Sequence, residues 1–279
     1  MSKWVDFWNK VTNSKLRKEI PRPDCCLIVG QKRTGKSTFF VPVAQYYLSI
    51  GYKVFCNFPM KNSYAIPVKE VYDKKSNSYI TIIDKDWLFN ADLRYSVVLI
   101  DEASAIWGSR DYATSWTARD TQWFTELGKN HTVVFMITQY FDLIDLNCKR
   151  SCDEQIFLTK SRWFRNITLC DFSELASLPV TDKLEVVNVK GLKGFYHETW
   201  EICARHFMSC RMYRRPFYNM FDTEFSFKKQ EPVDFAKMIY WEDVISFDKH
   251  DEWLISVFDY AYAHIRSLSI TNASSTAYC

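Results

Sequence analysis

No apolar run in this chain approaches the ~18 to 20 residues needed to cross a bilayer. The longest, Val97-Val98-Leu99-Ile100 and Val133-Val134-Phe135-Met136-Ile137, have the length of buried strands. A charge surplus of one sign is also lacking. The formal net charge of +3 excludes a histone-like polyanion binder, so any contact with nucleic acid has to come from local patches. The chain opens without a basic stretch leading into an apolar one, and its 9 cysteines show no secretory spacing. The expectation is a cytoplasmic protein with free thiols. Internal repeats and long low-complexity tracts are missing too, which excludes a solenoid.

What is present is apolar bulk. Hydrophobic residues make up 47% and aromatics 17% of 279 residues, enough for one sizeable α/β domain with an appended region but not for two full-size domains. Residues 1–23 read as a basic amphipathic helix, with Trp4, Phe7, Trp8 and Val11 at helical spacing among Lys3, Lys10, Lys15, Arg17 and Lys18. Such a stripe is read as packing on its own domain. Pro21 and Pro23 end it.

Residues 24–180 carry the pattern of a sheet. Cys25 to Val29, Lys53 to Phe58, Tyr79 to Ile83, Ser96 to Ile100 and Thr132 to Ile137 are strand-like, and Lys36 to about Leu48 is helical. Strands separated by helical stretches imply a parallel sheet. Gln155 to Leu158 and Glu185 to Val189 read as further strands. Residues 181–266 read as an appended, mainly helical region with a helix between Val233 and Arg266, and 267–279 as a flexible tail.

Chemistry concentrates at two places. Gly30-Gln31-Lys32-Arg33-Thr34-Gly35-Lys36-Ser37 matches G-x-x-x-x-G-K-S/T in full, directly after a strand and before a helix, which is the context a phosphate loop requires. Glycines let the backbone curl so that N–H groups and the helix N-terminus face an anion. Gly30 to Ser37 with Thr38 would hold ATP, Lys36 would reach the β- and γ-phosphates, and the Ser37 hydroxyl would ligate Mg2+. The second place is Asp101-Glu102, at the end of Ser96 to Ile100. Asp101 would hold the metal and Glu102 would orient or deprotonate the attacking water.

Gln139, ending the next apolar strand, is expected to face the γ-phosphate as a sensor if that strand lies between the two motifs. For an arginine acting on transition-state charge, Arg110, Arg119 and Arg150 are candidates, Arg150 preferred for lying beyond the sensor strand. Lys160, Arg162 and Arg165 with Trp163 and Phe164, and Arg205, Arg211, Arg214 and Arg215 with Phe207, Tyr213, Phe217 and Tyr218, mix charge with aromatics as nucleic-acid surfaces do; partly buried surface helices do so as well. Cys203, His206 and Cys210 would share one helical face, but without a clear fourth ligand they read as buried thiols and a surface histidine rather than a zinc site.

These motifs, with Gly51 to Pro59 around Asn57, Val98 to Ala103, Ile137-Thr138-Gln139 and Phe221-Asp222-Thr223, resemble the Zot-like ATPases of filamentous phages, within the FtsK/HerA superfamily of DNA-pumping proteins. The resemblance covers about residues 24–225. It implies a RecA-like (ASCE) P-loop fold and an ATP-driven motor that translocates or packages DNA as a homo-oligomeric ring. The phage proteins carry a transmembrane helix after the ATPase domain, whereas this sequence shows no such run, which favours a packaging or genome-handling ATPase without an integral membrane segment. Two other readings stand beside it: a nucleotide-gated adaptor that binds a viral coat or replication protein, and a small-molecule kinase. Against the kinase stand Glu102 beside the metal acid and the strand between the two motifs.

Overall fold

A computed structural model describes residues 3–18, 20–73, 78–109, 116–179, 192–195, 200–222 and 238–244. The first strand, β1 (Cys25–Val29), is buried along its whole length, as an unbroken apolar run dictates for a strand covered on both faces. After the glycine loop comes α2 (Lys36–Ser49). Then follow β2 (Lys53–Cys56), β3 (Tyr64–Ala65), β4 (Val68–Asp73), β5 (Ser78–Ile83), α3 (Lys85–Asn90), β6 (Ser96–Ile100), α4 (Ala118–Glu126) and β7 (Thr132–Thr138). The chain continues through α5 (Leu146–Arg150), β8 (Glu154–Lys160), β9 (Ile167–Pro179), β10 (Leu192–Phe195), β11 (Trp200–Tyr213) and α6 (Trp241–Val244), and it is preceded by α1 (Lys3–Lys18).

Among the described residues the main sheet has the order β10-β11-β9-β8-β1-β7-β6-β2-β3. From β8 to β3 every pairing is parallel. β9, β11 and β10 then extend that sheet antiparallel. Alternate residues of each central strand face opposite layers, so the sheet has two cores. Cys26, Ile28, Val97, Leu99 and Phe135 meet α1 and α2 through Leu16, Phe39 and Phe40. Leu27, Val29, Val98, Ile100 and Met136 meet α3, α4 and α5 through Leu88, Phe124 and Cys148. Burying each large apolar side chain contributes about 1.5–3 kcal/mol, which fixes this three-layer arrangement.

Three expectations are corrected. The strand foreseen at Tyr79 to Ile83 exists as β5, but it pairs only with β4, in a separate antiparallel ribbon. Residues 192–195 and 200–213, within the segment expected to be mainly helical, are strands. A register shift between His206 and Met208 breaks the two-residue alternation that would have announced β11. Cys203, His206 and Cys210 therefore lie along a strand, not on a helical face, and among the described residues no group of three or more acidic, histidine or cysteine side chains is placed to hold a metal. The strand expected at Glu185 to Val189, most of the helix expected from Val233 and the 267–279 tail lie outside the described residues.

α1 does pack on its own domain, through a different stripe from the one its sequence suggested. Phe7 and Val11 are exposed, whereas Val5, Asn13 and Leu16 are buried. Asn13 settles the orientation. Its Nδ2 donates to the Tyr213 carbonyl at 2.9 Å and its Oδ1 accepts from the Tyr213 N–H at 2.7 Å, so a buried amide is satisfied by the end of β11. At the other end of the sheet, the Ala65 N–H donates to the Ile239 carbonyl at 2.8 Å and the buried Trp241 donates its indole N–H to the Cys56 carbonyl at 3.0 Å. Residues 239–241 thereby cover part of the sheet edge, as edge strands require. Cys25, Cys26, Cys56, Cys148, Cys152, Cys170 and Cys210 are buried free thiols, and no helix among the described residues is long and apolar enough to cross a membrane.

Candidate nucleotide site

Register brings the motifs to one edge. Val29 pairs with Thr138 in β7, and Ile100 of β6 pairs with Met136 two residues earlier. The residues that follow, Gly30, Gln139 and Asp101, therefore emerge side by side at the C-terminal ends of three parallel strands, where ligands bind in open α/β sheets. β7 does lie between β1 and β6, which is the condition on which the sensor assignment of Gln139 depended.

The loop's conformation follows from its glycines. A Cβ on Gly30 would stand 2.6 Å from the Leu158 carbonyl oxygen of β8, so only glycine admits the neighbouring strand this closely. Gly35 has φ +92° and Arg33 φ 63°, left-handed positions that curl the chain. The Thr34 hydroxyl donates to the Gln31 carbonyl at 2.9 Å, and the Phe39 N–H closes the first turn of α2 on the Gly35 carbonyl at 3.0 Å. No side chain caps α2, so N–H groups of its first turn are left to water or an anion.

Lys36 Nζ donates to the Gln31 carbonyl at 3.1 Å, bridging the loop. Burial holds its pKa below the usual lysine value, and the Asp101 and Glu102 carboxylates pull in the opposite direction. Ser37 Oγ donates to Asp101 Oδ2 at 2.7 Å. This pair supplies two hard oxygen donors of the kind Mg2+ accepts, so the residues present fit the metal their motifs imply. Asp101 is braced from β2: its N–H donates to Asn57 Oδ1 at 2.7 Å and its carbonyl accepts from Asn57 Nδ2 at 3.0 Å. Glu102 adopts φ 56°, an uncommon left-handed state for a non-glycine residue. Gln139 Nε2 donates to Glu102 Oε1 at 3.3 Å.

Gln31, Lys32 and Arg33 are exposed along the loop, whereas Thr34 and Thr38 are buried, Thr38 beneath the loop at the start of α2. Arg150 ends α5 just ahead of β8, whose first residue pairs with Cys26 at the start of β1. It therefore sits at the opposite sheet edge from the Gly30–Ser37 loop of its own chain. Arg119 is tied to α3 by Asp86 at 3.1 Å and Asn90 at 2.6 Å. Arg110 lies outside the described residues.

Two neighbours of the loop are not assigned to it from the sequence, Thr168 for want of any signal and Arg214 because it reads as part of a basic, aromatic cluster. The Thr168 hydroxyl of β9 donates to the Thr34 carbonyl at 2.5 Å, and the Arg214 side chain lies against Gly35. The turn between β8 and β9 lies on the same edge, since β8 runs parallel to β1; it exposes Trp163 at 83% and Phe164 at 57%, with the Arg162 guanidinium 5.8 Å from the Trp163 ring centroid.

No family model matches the chain, and no curated protein does. Among solved structures the chain is similar to the genome-packaging NTPase B204 from Sulfolobus turreted icosahedral virus 2 in complex with ATP-gammaS, at 14% identity over 54% of this chain and 92% of that one, with a TM-score of 0.37. It is also similar to the N-terminal domain of zonular occludens toxin from Neisseria meningitidis, at 20% identity over 55% of this chain and 84% of that one, with a TM-score of 0.42.

Proposed function

We propose that the chain is a Mg2+-dependent ATPase that uses hydrolysis to translocate or package DNA during virion assembly or genome handling, acting as a ring of subunits. The observation that carries the ATPase reading is the 2.7 Å hydrogen bond between Ser37 and Asp101, made at the mouth of an uncapped helix with Glu102 and Gln139 alongside. Loop N–H groups and Lys36 would bind the β- and γ-phosphates, and Ser37 and Asp101 would hold the metal, which neutralises phosphate charge when bound. The Glu102 N–H donates to Asp101 Oδ1 at 2.9 Å, while its exposed carboxylate is held by Gln139 and can take a proton from water at the γ-phosphate side. Gln139 holds that carboxylate and would register loss of the γ-phosphate as a change in this contact.

The DNA-motor reading is supported by the basic, aromatic β8–β9 turn beside the nucleotide edge, whose exposed rings suit stacking on unpaired bases. Arg150, turned to the far edge, would act only on a neighbouring subunit's site.

Steady-state ATP hydrolysis should be measured with and without single- and double-stranded DNA, with Glu102→Gln as the control. Loss of a general base lowers turnover by roughly 10²- to 10⁴-fold, and the motor reading expects DNA to stimulate the wild-type rate. Hydrolysis that neither DNA form alters would instead favour a nucleotide-gated adaptor for a coat or replication protein.

A further inference from the structure

We infer that Arg214 is a nucleotide-binding residue of the same site, reaching it in cis from the antiparallel extension of the sheet and gripping the diphosphate portion that ADP and ATP share. This rests on the ATPase reading above.

The placement comes first. Arg214 follows β11, and its backbone N–H is pinned to the Asn166 carbonyl at 2.9 Å. Its side chain crosses onto the phosphate loop. A Cβ on Gly35 would meet Arg214 Cδ at 2.4 Å and Nε at 3.4 Å, so the arginine stem occupies the space that the missing side chain leaves at the entrance of α2. One guanidinium nitrogen, Nη2, donates to the Arg165 carbonyl. The Nε–H is buried with no protein hydrogen-bond partner. A desolvated donor left unpaired costs about 1–3 kcal/mol, and native structures rarely keep one without a purpose. Here it stands beside the glycine from which α2 starts and is closed to solvent, so a phosphate oxygen satisfies it once the guanidinium turns outward from Gly35.

The side of approach decides which part of the nucleotide is touched. In the sheet order, β7 and β6 lie on one flank of β1, and they carry Gln139, Asp101 and Glu102. β8, β9 and β11 lie on the other, and Arg214 arrives from there with Thr168, which holds the Thr34 carbonyl at 2.5 Å. The hydrolytic groups and Arg214 thus face the phosphate chain from opposite flanks. An arginine on the second flank is remote from the attacking water and close to the helix entrance, so it binds substrate and product alike and does little for the chemical step. That separates it from an arginine finger, whose contact is made in the transition state.

The same contacts reach the β8–β9 turn. Arg214 touches both Gly35 and the Arg165 carbonyl in the turn that exposes Trp163 and Phe164, so a guanidinium drawn to a phosphate would bear on the turn as well.

The test uses the full chain with Mg2+, measuring Kd for ADP and for a non-hydrolysable ATP analogue by calorimetry, and KM and kcat for ATP. Arg214→Met keeps a stem over Gly35 and removes the guanidinium. The expected result is a Kd weakened roughly ten- to hundredfold for both nucleotides, the loss of one charge-assisted contact, with KM rising in step and kcat nearly unchanged. Arg214→Lys, which restores the charge but not the fork, should recover part of the affinity. Melting curves without nucleotide separate a folding defect from a binding one, and the lysine variant carries the comparison should methionine cost the fold. Unchanged Kd values in a folded variant, or a fall in kcat with Kd intact, would overturn the assignment while leaving the ATPase reading in place. A wild-type chain that binds neither nucleotide, matching a Lys36→Ala control, would overturn both.

Discussion

Asn57 offers the sharpest test of how the fold prepares Asp101 for its proposed hold on the metal. Its side chain makes two hydrogen bonds with the backbone of Asp101, at 2.7 and 3.0 Å, and both residues are half-buried. Asn57→Ala removes both bonds and leaves the Asp101 N–H and carbonyl to whatever water can enter. Each such bond contributes about 0.5–1.5 kcal/mol net, so the two together give a loss of about 1–3 kcal/mol. In a chain of this size each kcal/mol lowers Tm by about 2–4 °C. The functional cost should exceed the stability cost, because Asp101 also holds Ser37 at 2.7 Å and a small displacement spoils both donors. The expected outcome is a fall of several degrees in thermal melting, with a higher Mg2+ concentration needed for half-maximal ATP hydrolysis. Asn57→Asp keeps the acceptor for the Asp101 N–H but sets a carboxylate beside the Asp101 carbonyl, so its loss should be at least as large as that of the alanine variant. A substitution to alanine that changes neither Tm nor the Mg2+ requirement would refute the claim that β2 positions the acid.

Two further outcomes follow from the sheet's other ends. Glu154, at the start of β8, has its pKa raised from 4.5 to about 7 by burial, with Asp153 and Glu174 adding repulsion, and Glu174 is its cross-strand partner in β9. The folded protein therefore keeps a proton that the unfolded chain has lost above pH 4.5, so stability should fall as pH rises from about 4.5 to about 7. Glu154→Gln should flatten that fall in denaturant titrations across this range; an unchanged profile would count against the buried, proton-retaining carboxyl. Trp241 is wholly buried and holds the Cys56 carbonyl at 3.0 Å. Its replacement by alanine should cost about 3–5 kcal/mol and speed hydrogen exchange at the Ala65 amide, which donates to Ile239. Protection at Ala65 that survives the substitution would show that the segment is held elsewhere.

The sequence by itself determined the parts of this protein that are local. Strand, loop and helix are contiguous from Cys25 to Ser49, and the motif they carry requires particular residues at fixed spacing, so the strand–loop–helix unit could be read directly. β1, β6 and β7 were legible for a related reason: a strand covered on both faces has to be apolar throughout, and few segments of this chain are. Asp101 and Glu102 gained meaning from their place at the end of such a strand. Tertiary structure decided whatever depends on pairing between distant segments. Whether β5 joined the parallel sheet or turned back on β4 lay beyond its own composition, since either partner suits a strand of that pattern. β11 was hidden by its bulge. The docking face of α1 was misread because a buried asparagine matched to a strand end outweighed Phe7 and Val11, a choice visible only with Tyr213 in place. Arg214 looked like one more basic residue among aromatics until the chain brought it against Gly35; what distinguishes it is the absence of a side chain on a residue far away in sequence, and no local pattern records that.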